Sequence, residues 1–66
     1  MVETIKRIAK EKGISISKLE RGCQLGTKTI YRWDENFPSV DKVMRVARYL
    51  GVPVEDLLEE EENDFN

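Results

Sequence analysis

The chain has 66 residues, 39 % of them apolar, and a formal net charge of −2, which allows one small domain with a thin core worth about 3–5 kcal/mol. A single cysteine, Cys23, and the lack of any histidine exclude an internal disulfide and a Cys/His zinc set, and they suit a reducing compartment. No apolar run approaches the roughly 18 residues of a membrane-spanning helix, and the N-terminal MVETIKRIAKEK lacks a signal peptide's apolar block, so a soluble, cytoplasmic chain is expected.

In chain order, Val2, Ile5, Ile8 and Ala9 recur at helical spacing between Lys6, Arg7, Lys10 and Lys12. This predicts an amphipathic first helix running to Lys12 and ended by Gly13. Ser15 stands where an N-cap belongs, and Ile16, Leu19 and Cys23 give a short second helix of about two turns that ends near Gly22–Gln24. After a tight turn, Gly26 or Thr27 opens a third helix. Its Ile30 and Trp33 point inward at i, i+3, which leaves Thr27, Lys28, Tyr31 and Arg32 outside. Asn36-Phe37-Pro38 breaks it. Ser39 caps a fourth helix with the most apolar face of the chain (Val40, Val43, Met44, Val46, Ala47, Leu50), closed by Gly51. Pro53 starts a fifth, short helix that buries Val54, Leu57 and Leu58, with Glu55 and Asp56 suiting the positive end of its dipole. No alternating run predicts a strand. The expected architecture is an all-α, compact five-helix bundle over residues 1–58, followed by an acidic, disordered tail over 59–66.

The net charge of −2 averages two opposites. Residues 1–54 hold all eleven Lys/Arg against six acids, a formal +5, whereas residues 55–66 hold seven acids and no base. A basic body points towards a polyanion partner, though a basic face also serves plain solubility. Carboxylates occur only in the tail or on solvated faces and no histidine is present, so an enzyme is not expected, and nothing calls for a cofactor, a metal or a small-molecule substrate.

Two short helices joined by a tight turn, the second with small polar and basic residues on its open face, make a helix-turn-helix from helices 2 and 3. Five local patterns make this specific: Gly13-Ile14-Ser15, Thr29-Ile30, Pro38-Ser39, Val46-Ala47, and Leu50-Gly51-Val52 with Leu57-Leu58. In that order and spacing the stretch from Ile5 to Leu58 resembles the phage-repressor-like (Cro/CI, Xre-type) helix-turn-helix family, with its lambda-repressor-like fold. The resemblance implies a third helix set in the major groove, with base contacts from the positions of Thr27, Lys28 and Arg32. It also implies DNA backbone or flanking contacts from Ser15, Ser17, Lys18, Thr29 and Tyr31, the two serines lying at the amino end of the second helix. The plain alternatives are that Lys28 and Arg32 are solvated charges, that Thr27 is only a cap, and that Lys6, Arg7 and Lys10 form a solvated face and not a phosphate flank.

Three positions depart from the family pattern. Ile16 replaces a glutamine that helps to hold phosphate. Glu20 replaces a small residue and avoids burial only by leaving the helix pair sideways. Gln24 replaces the turn glycine, at about 1 kcal/mol if that position is left-handed, with Gly22 bending the chain earlier to ease the strain. The loop Glu35-Asn36-Phe37 lacks the basic residues that often grip phosphate there. Trp33 and Cys23 are read as core. The expected function is sequence-specific double-stranded DNA binding by a transcriptional regulator, a repressor acting by steric exclusion, paired as a homodimer through helices 4 and 5 with Tyr49 and Val52 at the contact. The alternative is an adaptor or antitoxin-like module that binds protein.

Overall fold

The computed structural model describes residues 1–58, which hold four α-helices and no strand among the described residues. These are α1 (Val2–Glu11), α2 (Ile16–Gly22), α3 (Val40–Leu50) and α4 (Val54–Leu58), with a single 3-10 turn at Ile30–Arg32. The acidic tail expected over 59–66 lies outside the described residues. None of the described helices is long and apolar enough to cross a membrane.

The helix starts follow the predicted chemistry. Ser15 Oγ accepts from Lys18 N at 3.1 Å and Ser39 Oγ from Lys42 N at 3.4 Å, each satisfying an amide that the first turn leaves open. For α1 the side-chain acceptor comes from elsewhere in the chain: Asp34 Oδ1 accepts from Val2 N at 3.4 Å and lies 3.4 Å from the Met1 ammonium.

Three helices end in the same way. Gly13, Gln24 and Gly51 each take a left-handed backbone, with φ of +71°, +61° and +74°. The next amide in each case reaches back over the last turn, Ile14 N to Ala9 O, Leu25 N to Glu20 O and Val52 N to Ala47 O, at 2.8–3.0 Å. This closes the orphan carbonyls and turns Ile14, Leu25 and Val52 onto the core, the apolar contact that accompanies this type of helix end. Gln24 is therefore left-handed, and the strain foreseen for it stands. Gly22 does not relieve it, since it keeps a negative φ. Its role is close approach: a Cβ there would overlap the ring of Tyr49 on α3.

The core draws one fully buried large side chain from each stretch: Ile5, Leu19, Ile30, Val46 and Leu57. Each is worth roughly 1.5–3 kcal/mol of burial. α1 packs on α2 and α4, and α3 on α2 and α4, so the two longest helices enclose the two short ones. Trp33 and Cys23 are buried as expected. At the end of α2, Arg45 Nη1 donates to Cys23 O at 3.3 Å and Cys23 Sγ donates to Arg45 O at 3.6 Å, which fixes α2 to α3.

The third helix of the five expected does not form as an α-helix. From Gly26 the chain makes isolated turns, with Lys28 left-handed at φ +63°, and becomes regular only over Ile30–Arg32. The apolar spacing of Ile30 and Trp33 is the same for a tight turn and for an α-helix, so it could not distinguish them.

Candidate nucleic-acid interface

The residues expected to touch bases lie on the irregular segment between α2 and α3. Thr27, Lys28, Tyr31 and Arg32 are exposed there, while Ile30 and Trp33 anchor the segment in the core. Thr29 N donates to Gly26 O and Arg32 N to Thr29 O, both at 3.1 Å, so the segment is a succession of four-residue turns.

Glu20 explains the shape. It does not escape sideways as expected; it is 3 % exposed. Its Oε1 accepts from Lys28 N at 2.9 Å and its Oε2 from Ile30 N at 3.1 Å. Two backbone donors replace the water that a buried carboxylate would otherwise need. Two contacts hold the same segment to α1: the Asp34 bond to the start of the helix, and Lys6 Nζ, 5.9 Å from the centre of the Tyr31 ring.

The expected flanking residues sit at the start of α2. Ser15, Ser17 and Lys18 are all exposed. Ser17 Oγ accepts from Arg21 Nη1 at 3.2 Å and Ser15 Oγ caps the helix, so both hydroxyl protons remain to be donated. Ile16 packs against the core, which accounts for an apolar side chain at that position. Ser15 also lines a groove of about 440 Å³ together with Lys6, Lys10 and the apolar Ala9, Ile14 and Ile16.

Thr29 and Arg32 line a second groove, of about 310 Å³, together with Asn36, Ser39 and Lys42. The loop before α3 carries no base, but α3 supplies one. Lys42 was not singled out in the sequence. The signal was available, since a lysine three residues after a capping serine lies in the first helical turn, beside the preceding loop.

The charges divide into two sets. Lys6, Arg7 and Arg45 pair with Glu3, Glu11 and Asp41 one turn away on their own helices, at 3.6, 3.5 and 2.8 Å. Such exposed pairs are worth only about 0.3–0.5 kcal/mol. Among the described residues no carboxylate pairs with Lys18, Lys28, Arg32 or Lys42. Arg32 and Lys42 beside the second groove, Lys28 on the irregular segment and Lys18 on α2 are thus available to an external anion. Behind them, burial pushes the Cys23 thiol above its ordinary range, against the opposing field of Arg45.

Tyr49 and Val52 are partly used within the fold. Tyr49 covers Gly22 and is 38 % exposed, and Val52 packs on the core. More apolar surface is open at Phe37 and Val40, each 69 % exposed, and at Met44.

A sequence profile of the Cro/C1-type HTH DNA-binding domain matches residues 4–63 of the chain. No curated protein and no solved structure matches it.

Proposed function

The chain belongs to the Cro/C1-type helix-turn-helix DNA-binding family, and from that premise we propose that it is a sequence-specific repressor that sets residues 27–32 into the major groove. Thr27, Lys28 and Arg32 read base edges, with the two cations donating to guanine O6 and N7 and the Thr27 hydroxyl or methyl meeting a base edge. Ser15, Ser17, Lys18, Thr29 and Tyr31 hold the DNA backbone, and Lys42, which lines the second groove beside Thr29, adds a phosphate contact. The action is occupancy of an operator and exclusion of polymerase, with no catalytic step.

One observation carries this reading: Lys28 and Arg32, neither paired with a carboxylate among the described residues, project from a segment whose apolar side is locked by Ile30 and Trp33. A solvated decorative face does not need such anchoring. Pairing of two copies through α3 and α4 completes the proposal, with Phe37, Val40 and Met44 added to the Tyr49 and Val52 contact.

Selection of bound duplexes from a random pool tests it. A common motif is expected, repeated as two half-sites about 10 base pairs apart, or a multiple of that, centre to centre. No enrichment at low salt would sink the reading. The open apolar surface at Phe37, Val40 and Met44 favours a second one, an adaptor that binds protein. Amide shifts confined to α3 and α4 when duplex is titrated in would support that alternative.

A further inference from the structure

We infer that Glu20 is a positioning residue for DNA reading: its buried carboxylate sets the backbone of residues 28–30 before DNA arrives, and so aims Lys28 and Arg32. This rests on the reading given above.

A regular helix beginning at Thr27 would hold its side chains by its own hydrogen-bonded ladder. Here that ladder is absent until Ile30. The amides of Lys28 and Ile30 bond instead to the two oxygens of one carboxylate, at 2.9 and 3.1 Å. Lys28 lies between α2 and the 3-10 turn with φ +63°, a conformation that a lysine avoids unless something enforces it. The two bonds are the enforcing element, since they fix the amides on both sides of Thr29.

Electrostatics sharpens the inference. Glu20 is a negative charge buried under a face that meets phosphates, so by charge alone it weakens binding to every duplex. The geometric task of the acid is its pair of bonds to the Lys28 and Ile30 amides. Only an ionised carboxylate can accept from both amides without bringing a donor of its own. A glutamine has the same reach, but its NH₂ would face one of the two N–H groups.

The test compares the 66-residue chain with its Glu20→Gln variant on two duplexes: one selected from a random pool by the wild type, and one of shuffled sequence. Folding is checked by circular dichroism and amide hydrogen exchange. The expected result is a loss of about tenfold or more on the selected duplex. On the shuffled duplex binding should change by less than about threefold, or tighten, because a negative charge has been removed. Exchange at Lys28 or Ile30 should accelerate. An equal change on both duplexes, or tighter binding to both, overturns the inference.

If Glu20→Gln does not fold, exchange in the wild type decides. Protection of Lys28 and Ile30 before duplex is added, unchanged after, is the expected outcome. Protection that appears only with the selected duplex overturns a preset segment. Failure of the wild type to enrich any duplex overturns the DNA reading itself, whereas equal binding of an enriched duplex by both proteins overturns the role of Glu20 alone.

Discussion

At Lys28 two requirements meet in one side chain. Its backbone is left-handed, φ +63°, which costs an L-residue about 1–2 kcal/mol, while its ammonium is exposed and not paired with a carboxylate among the described residues. Two substitutions separate these. Lys28→Ala keeps the strain and removes the ammonium, so binding to a selected duplex should fall by about 1–3 kcal/mol if the lysine reads a base. Lys28→Gly removes both, so the fold should gain about 1 kcal/mol and melt roughly 4–8 °C higher, while binding falls as far as in the alanine variant. Equal weakening on random-sequence DNA would reduce Lys28 to a phosphate contact. Cys23 gives a prediction in pH. Burial raises its thiol pKa in the folded chain, so the native state keeps that proton to higher pH than the unfolded chain does. The stabilisation is complete below the ordinary thiol range and is lost as pH rises through the raised value. Urea unfolding on either side of that range should show a smaller alkaline loss for Cys23→Ala than for the wild type; identical losses would clear the thiol of any part in it.

Helix ends show how far the sequence could be read. Ser15 and Ser39 as caps, Gly13 and Gly51 as stops, and the inward faces of α1 and α2 follow from local chemistry, because each depends on residues within one turn, whereas Val40, Met44 and Leu58, which the apolar spacing groups with the buried residues of α3 and α4, are exposed. The third helix does not follow from local chemistry, because its fate depends on a side chain eight to ten residues earlier in the chain. Nothing near Thr27 announces that Glu20 takes the amides of Lys28 and Ile30, and an acid at that position reads as a residue that must stay in water. The exposure of the expected site residues was legible for a related reason. Exposure of Thr27, Lys28, Tyr31 and Arg32 follows from the inward pair Ile30 and Trp33, whichever helical form the segment takes. Lys42 is placed beside the loop before α3 by its spacing from the capping Ser39, but the groove it shares with Thr29 and Arg32 forms only when two stretches of chain meet. The three matching helix ends also yield a prediction. Two of them use glycine at the left-handed position and α2 uses Gln24, at φ +61°. Gln24→Gly should therefore stabilise the fold by about 1 kcal/mol, seen as a higher urea midpoint at constant m. No gain would mean that the Gln24 side chain repays its strain in the folded state.

For the whole molecule, charge has to be weighed against its own tail. Residues 59–66 hold five acids, Glu59 to Glu62 and Asp64, and without them eleven bases stand against eight acids, a formal +3. A segment of five like charges joined to a basic body is present at high effective concentration, whatever its conformation, so it competes with phosphate for the same cations. The interaction reaches about 30 Å at 0.01 M salt and only about 8 Å at 0.15 M. Deleting residues 59–66 should thus strengthen binding to random-sequence DNA at low salt, and the gain should fade at physiological ionic strength. The salt slope tells competition from a simple change in net charge. If the tail occupies cations in the free chain, DNA displaces the tail, whose acids then take up cations from solution, so deletion should steepen the salt slope. A stronger affinity with an unchanged slope would mean that the acids act only through net charge. Unchanged affinity at low salt would show that the tail does not oppose DNA at all.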